Sequence, residues 1–516
     1  MDIHSEKIVI LDFGSQTTQL IARRIREQKV YSEIHPFSIS LEKLKELQPS
    51  GIVLSGGPCS VYDQDAPHSD PGLFDLGIPI LGICYGAQLM IQQLGGKVEK
   101  AEKREFGKAE LTVKYTAGLF AGLMLNGMKH QVWMSHGDRV EVIPDGFEAT
   151  AVSDNSPYAA LRHTKHPFYA VQFHPEVVHT LIGTDVLRNF IFGICNCSPE
   201  WTMHSFIEQN VQAIRDKVGS DNVICALSGG VDSSVVAAII HKAIGDQLTC
   251  IYVNNGLMRT GETAAILRFF KEKSKLKLID IDATDYFLEK LQGVEDPEIK
   301  RKHIGLGFIK IFEEEAKKIG NVKYLAQGTL YPDVIESVSF RGAAPIKSHH
   351  NVGCFPDIMH LDLIEPLREL FKDEVRKLGL ELGLPEEAIY RQPFPGPGLG
   401  IRIMGEVTAE RLRILRQADV IVLEEMRKAD WYRKVWQSFA VLLPIQTVGV
   451  MGDGRTYEHV VAIRAVDSLD AMTADWSRLP YEILSEISSR IINEVRGVNR
   501  VVYDISSKPP ATIEWE

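Results

Sequence analysis

Cys84 stands in Gly82-Ile83-Cys84-Tyr85-Gly86, between the strand-like run Ile78–Ile83 and the helical pattern Ala87–Leu94. A nucleophile framed by glycines at a strand-to-helix turn is lifted above the sheet, as in the G-x-S-x-G elbow of serine hydrolases. The helix start just beyond it favours a thiolate. A lone cysteine in such a place is more often a small packing residue, so the reading needs a base. Phe168–Phe173 is a second strand-like run, and it leads into His174-Pro175-Glu176. A histidine at a strand end can take up the proton of a thiol, and a carboxylate two residues on can orient the ring. Ser55-Gly56-Gly57-Pro58 also follows a strand pattern. It reads either as a plain turn or as backbone N–H groups turned toward an oxyanion.

A second site is spelled by Ser228-Gly229-Gly230-Val231-Asp232-Ser233-Ser234, between the strand Asn222–Leu227 and the helix Val235–Ala243. A glycine-rich loop opening a helix presents N–H groups and a helix dipole to phosphate. Ser228 and Ser233 add hydroxyls, and Asp232 is a suitable oxygen ligand for Mg²⁺. The loop lacks the lysine of a Walker P-loop. The long aperiodic segment Leu330–Asp357 carries Lys347, His349 and His350. Such a segment is either a solvated loop or a lid that closes on charge.

The elements that must position these groups alternate short apolar runs with helical periodicity. Lys7–Phe13, Gly51–Ser55 and Ile78–Ile83 alternate with helices such as Gln16–Gln28, and this predicts a mostly parallel sheet covered on both faces. The polar stretch Cys195–Pro199 marks a boundary, after which a second α/β series begins with Asn222–Leu227, Leu248–Val253, Lys275–Ile279 and Val322–Ala326. Gln392–Gly400 holds three prolines and three glycines in nine residues, which no helix or central strand tolerates. The expected domains are therefore 1–198, 199–391 and 392–516, the last with helices near Glu410–Lys428 and Tyr481–Arg496.

Residues 1 to about 195 resemble the class I glutamine amidotransferases, through SGGP at 55–58, GICYGAQ at 82–88 and HPE at 174–176. The resemblance implies a flavodoxin-like fold and glutamine hydrolysis through a cysteinyl thioester. Cys84 would be the nucleophile, His174 the base and Glu176 its orienter. Gly57 and Tyr85 would form the oxyanion hole, with Gln88, Gly137 and Asp138 holding the glutamine. SGGVDS at 228–233 resembles the phosphate loop of the ATP pyrophosphatases, which transfer adenylate to an acceptor and release pyrophosphate. Over nearly its whole length the chain resembles the glutamine-hydrolysing GMP synthases. That resemblance rests on YVNNGLMR at 252–259, IKSHHNVG at 346–353, PFPGPGLGIR at 393–402 and the tail VVYDISSKPPATIEWE at 501–516. It implies a doubly wound ATP pyrophosphatase domain, a smaller α+β C-terminal domain that dimerises, and Mg·ATP as co-substrate. It also implies adenine against Val253, lid residues Lys347, His349 and His350, and XMP contacts from Arg259, Gln446, Lys508, Ile513 and Glu514. Thr17 stands where that family often has an aromatic residue, and Cys354 where a glycine usually stands; neither is expected to touch a motif atom. Another oxo-purine, pyrimidine or carboxylate acceptor, or a catalytically silent nucleotide-binding regulator, are the rival readings.

Composition narrows the setting. The chain has 516 residues and a net charge of −11, which argues against a broad nucleic-acid surface. Seven scattered cysteines without a CxxC pair argue against a disulfide framework or zinc site. No apolar run is long enough to span a bilayer and the N-terminal residues carry no signal-peptide pattern, so a cytoplasmic protein is expected.

Overall fold

The computed structural model describes residues 2–123, 129–274, 276–337, 361–451, 454–468 and 473–516. Two compact units result, the first built on Met1–Gln209 with residues 332–337 and the second on Asn210–Tyr331 with the described residues from 361 to 516.

In the first unit the apolar runs become β1 (Lys7–Asp12), β2 (Tyr31–Pro36), β3 (Gly51–Leu54) and β4 (Ile80–Ile83). Then follow β5 (Lys97–Val113), β6 (Lys129–Val142), β7 (Phe147–Val152), β8 (Ala160–His163) and β9 (Phe168–Val171). They form one sheet in the order β2-β1-β3-β4-β9-β8-β7-β5-β6. The first five are parallel neighbours, which is the flavodoxin-like order. The expected helix Gln16–Gln28 forms over Thr18–Glu27, with Ile21, Ala22 and Ile25 buried on the sheet. The remaining four strands extend the sheet antiparallel. The sequence gives little sign of that extension. One face of β5 and β6 is solvated, so their charged residues interrupt any apolar run.

The Cys195–Pro199 stretch is tied down on this unit. Cys195 and Cys197 donate their N–H groups to Phe190 and Ile191, and Trp201 donates to the Lys29 carbonyl. The Trp201 ring is buried, with the Arg26 guanidinium 5.1 Å from its centroid.

In the second unit β10 (Asn222–Ala226), β11 (Leu248–Asn254), β12 (Lys277–Asp282), β13 (Val322–Ala326) and β14 (Asp362–Ile364) pair in the order β12-β11-β10-β13-β14. Every pair is parallel. The order reverses beside β10, and in open α/β sheets ligands bind beyond the carboxyl ends of the strands at that reversal. Ser228–Ser234 lies at that point. The chain then builds β15 (Gln437–Met451), β16 (Gly454–Asp467), β17 (Asp475–Trp476) and β18 (Val498–Tyr503). The first three are antiparallel and β18 runs parallel to β16. Helices Ala409–Lys428 and Tyr481–Glu494 pack against this sheet and each other. One apolar cluster runs from Ile224, Leu257 and Ile304 to Leu415, Ile421 and Ile463. The C-terminal sheet therefore shares a core with the parallel sheet. None of the described helices is long and apolar enough to cross a membrane.

Candidate active sites

Cys84 directly follows β4 and caps the helix Tyr85–Gln93 at φ +49°. This is a left-handed conformation that costs a side-chain-bearing residue free energy and is typical of functional turns. The flanking glycines act differently from the sequence expectation. Neither has a positive φ; they are needed for close approach. A Cβ at Gly86 would lie 2.4 Å from the Leu54 carbonyl oxygen, and one at Gly82 2.7 Å from Ala87 Cα. The elbow is thus pressed against β3, and the strain is carried by the cysteine itself.

His174 stands beyond β9, its N–H donating to the Trp133 carbonyl at 3.0 Å and its own carbonyl accepting from Thr180 Oγ1 at 2.6 Å. Its Nδ1 lies 2.7 Å from Glu176 Oε1, and Cys84 is the other group that sustains a charge on the ring. Glu176 is fully buried. Burial opposes a charge on the imidazole, but Cys84 and Glu176 outweigh it and raise the pKa from 6.5 to about 10. The surroundings of the ring thus favour its charged form.

The glycine loop after β3 closes over this pair. A Cβ on Gly56 would lie 3.2 Å from His174 Cε1 and 3.8 Å from Cys84 Cβ, and one on Gly57 3.1 Å from Tyr85 Cγ. The structure thus brings Gly57 and Tyr85 together beside Cys84. Gly137 faces open space, with nothing within 4 Å of a Cβ placed there. The Gln88 amide donates to the Asp138 carbonyl at 2.8 Å and to Gln172 Oε1 at 3.1 Å, so it braces the Ser135–Asp138 strand from within. His136 supports the same strand: Nδ1 lies 2.9 Å from the Asp138 carbonyl and Nε2 3.1 Å from the buried Glu105.

One expectation is corrected. Thr17 touches the triad directly, its hydroxyl donating to Glu176 Oε1 at 2.7 Å while Ser15 Oγ lies 2.9 Å from Thr17 Oγ1. A contact across 159 positions leaves no local signal in the sequence.

At the second site Gly229 has φ +75°, and a Cβ there would strike Ile266 Cδ1 at 2.2 Å. This turn brings the loop onto the first turn of the helix Val231–Ile244. Ser228 Oγ and Ser233 Oγ are 3.0 Å apart, and Ser234 Oγ donates to the Gly230 carbonyl at 2.7 Å. Ser228 and Gly230 are exposed, so the loop opens to solvent. Val253 is buried at the carboxyl end of β11. Two partners were not foreseen. Lys372 Nζ lies 2.6 Å from both oxygens of Asp232, and Arg391 Nη1 donates to the Gly229 carbonyl at 3.1 Å. Among the described residues no group of three or more acidic, histidine or cysteine side chains is placed to hold a metal. One carboxylate beside a phosphate loop fits Mg²⁺ that arrives with a triphosphate, since Mg²⁺ keeps much of its shell as water and phosphate oxygen. Lys347, His349, His350 and Cys354 lie outside the described residues.

The five residues expected at the acceptor are distributed unevenly. Arg259 is buried, its Nε 2.7 Å from Asp419 Oδ2 and its guanidinium 4.8 Å from the Phe394 ring centroid. Burial works against its charge, while Asp419, Glu262 and Glu514 sustain it. The Arg402 guanidinium lies 5.1 Å from the same ring and holds Glu514 through two bonds of 2.9 and 2.8 Å. Arg259, Phe394, Arg402 and Glu514 thus form one cluster, with Ile513 buried next along the chain. A cleft of about 560 Å³ opens beside Arg259, lined by Asn254, Thr260, Thr263 and Arg416 among others. Lys508 pairs its backbone with Ala474. Gln446 is exposed, far along β15 from Gln437, the residue of that strand that bonds Glu514.

The C-terminal tail is docked rather than frayed. Three fully buried cations hold it: Arg464 donates to Ser506, Thr512 and Ile513 carbonyls, Arg402 to Glu514, and Lys300 to Glu516 at 2.5 Å. None of the three stood out in the sequence, because each reads as an isolated surface charge.

Residues 9–194 match the family described as glutamine amidotransferase class-I, residues 202–303 that described as NAD synthase, and residues 424–515 that described as GMP synthase C terminal domain. The chain is 78% identical over 517 aligned residues to the glutamine-hydrolyzing GMP synthase of Desulfotalea psychrophila, with 100% of each chain covered. It is 60% identical to the enzyme of that name from Brachyspira hyodysenteriae, again with 100% of each covered. Against that of Maridesulfovibrio salexigens it is 59% identical, covering 99% of this chain and 100% of the relative.

Proposed function

The chain belongs to the glutamine-hydrolysing GMP synthases, and from that premise we propose that Cys84, His174 and Glu176 release ammonia from glutamine while Ser228–Ser234 and the tail cluster activate and aminate XMP. The family reaction converts ATP, XMP, glutamine and water to AMP, pyrophosphate, GMP and glutamate. The observation that carries the site assignment is the His174–Glu176 pair beside the Cys84 elbow, with Gly56 packed against both His174 and Cys84 on a flavodoxin-like sheet.

In the first half-reaction the Cys84 thiolate attacks the glutamine carboxamide carbon. The oxyanion is met by the Gly57 and Tyr85 amides. His174 protonates the departing ammonia and then, as the neutral base, takes a proton from the water that cleaves the thioester. Glu176 keeps the ring oriented throughout. Gln88, Gly137 and Asp138 fix the amino-acid end of the substrate.

In the second half-reaction the exposed loop Ser228–Ser234 binds the ATP phosphates, with the adenine against Val253. Mg²⁺, when bound, neutralises triphosphate charge, and Asp232 is the residue that would hold it. Lys372, which pairs with Asp232, would lie beside the same phosphates and add positive charge there. Lys347, His349 and His350 serve as the lid. The 2-oxygen of XMP attacks the α-phosphate to give adenylyl-XMP and pyrophosphate, and ammonia then displaces AMP. Arg259, Lys508, Ile513 and Glu514 hold XMP, with the Arg259–Phe394–Arg402 cluster supporting the anionic nucleotide.

Two coarser features complete the reading. Val448, Val450 and Tyr457 are exposed on the β15–β16 hairpin, where Val448 pairs with Tyr457, and these apolar side chains support a homodimer. Cysteine usage supports a cytoplasmic enzyme, since scattered thiols suit a reducing compartment. The test of the site assignment is Cys84→Ser: GMP formation from glutamine should vanish while formation from ammonium ions persists. Undiminished use of glutamine would refute it.

A further inference from the structure

One buried polar side chain at the first site has no part in the mechanism above. Gln172 directly follows β9, two residues before His174, and is 2% exposed. Its Nε2 lies 3.7 Å from Cys84 Sγ, within hydrogen-bonding range for sulfur. Its Oε1 accepts from Gln88 Nε2 at 3.1 Å, and that same nitrogen donates to the Asp138 carbonyl at 2.8 Å. These bonds fix which way the Gln172 carboxamide points. Asp138 supplies a carbonyl, which only an N–H can meet, so Gln88 presents its NH₂ side to both partners. Gln172 must then turn its oxygen to Gln88 and its NH₂ to the sulfur. The backbone is held too, the Gln172 N–H donating to the Ala159 carbonyl at 2.9 Å.

We propose that Gln172 is a catalytic residue of glutamine hydrolysis, donating its carboxamide N–H to the Cys84 sulfur. The inference rests on the reading of Cys84 as nucleophile. The donated N–H meets negative charge on the sulfur, which also lies 3.6 Å from the Ser135 carbonyl. As the C–S bond forms, the sulfur loses its charge and the bond to Gln172 weakens. The C–N bond then breaks and the His174 proton leaves with ammonia. In the second step water adds to the thioester carbonyl and gives a proton to His174. The C–S bond breaks and its electron pair returns to sulfur. Gln172 is already in place to receive that charge, so its contribution is largest where the thiolate departs. The Asp138 carbonyl sets the Gln88 amide, and Gln88 sets Gln172. The strand expected to grip the glutamine therefore also orients the donor that tunes the nucleophile.

The test uses the full chain with Gln172→Met, which keeps length and removes the donor, and Gln172→Asn, which keeps the amide and draws it off the sulfur. Alkylation of Cys84 by iodoacetamide is followed across pH by peptide mass spectrometry, alongside glutamine kinetics and GMP formation from ammonium ions. Loss of a hydrogen bond to a charged sulfur should reduce the thiolate fraction about tenfold, moving the alkylation midpoint up by about one pH unit in both variants. The glutamine kcat should fall by about the same factor with KM nearly unchanged, and ammonium-dependent GMP formation should persist. A residue that only packs would lower the melting temperature and leave the midpoint in place. An unshifted midpoint in whichever variant retains its fold overturns the proposal. If Cys84→Ser still hydrolysed glutamine, the underlying assignment would fall instead, and the two failures are thereby told apart.

Discussion

Replacing Glu514 by alanine removes one partner of an ion pair that the fold has taken out of water. Arg402 is completely buried and the Glu514 side chain is 17% exposed. The guanidinium donates twice to the carboxylate, at 2.9 and 2.8 Å, and lies 3.9 Å from the Phe439 ring centroid. Its Nη1 already has no hydrogen-bond partner among the described residues, so Arg402 has no alternative acceptor in reserve. Leaving a buried charge uncompensated costs about 3–5 kcal/mol. The cost falls on the docked tail, because the cation regains water only when the tail opens. At about 1.36 kcal/mol per tenfold, opening becomes more frequent by roughly two to three and a half orders of magnitude. Hydrogen exchange reads this directly at the Lys508 amide, which donates to Ala474 at 2.7 Å, and at the Ala511 amide, which donates to Ser507 at 3.1 Å. Both are measured without nucleotide, so that any role of Glu514 in binding XMP does not enter. The double variant Arg402→Met with Glu514→Leu removes both charges and keeps apolar volume against Phe439. It should recover much of the lost protection, since apolar replacement of a whole buried pair is often neutral. Exchange in Glu514→Ala no faster than in the native chain, or a double variant as damaged as the sum of the single ones, would show that the Arg402–Glu514 pair does not hold the tail.

The His174 ring should titrate near 10 rather than 6.5 by NMR, and Cys84→Ala should lower that midpoint because one of its two partners is lost. Its pKa is raised on folding, so the stability it contributes is intact below about 6.5 and is lost as pH climbs through about 10. Thr17→Val keeps the shape and removes a donor to Glu176; glutamine-dependent kcat should fall about tenfold with ammonium-dependent GMP formation unchanged, and Thr17→Ser should restore it. Lys372→Met should slow AMP release with ammonium ions by about a hundredfold, as loss of one preorganised charge-stabilising donor does, and leave glutamine hydrolysis intact in a coupled assay. Val450→Asp on the exposed hairpin should shift sedimentation from dimer to monomer; an unchanged profile would move the interface elsewhere.

The sequence was most informative where chemistry and local structure coincide. Cys84, His174 and Ser228–Ser234 each sit at the end of a buried strand, and such strands announce themselves as short apolar runs. The glycines beside Cys84 were legible as a tight turn, but the reason was not: they permit contact with Leu54 and Ala87 rather than a left-handed backbone. The groups that tune the sites were hidden, because their partners are distant in sequence. Thr17 reaches Glu176 across 159 positions, and Lys372 reaches Asp232 across 140. Arg402, Arg464 and Lys300 have the composition of surface residues and become buried only because the C-terminal tail returns with carbonyls and carboxylates to meet them. Gln172 alone left a trace. It stands two residues before His174, just past the end of β9.

Nitrogen released at Cys84 should end on the purine made in the same chain. The direct measurement supplies Mg·ATP, XMP and glutamine labelled with ¹⁵N in its side-chain amide, and follows AMP, pyrophosphate and GMP by mass spectrometry. AMP and pyrophosphate are expected in one-to-one ratio with GMP that carries the label. Hydrolysis of the labelled glutamine without labelled GMP would leave the triad standing and contradict the amination of XMP.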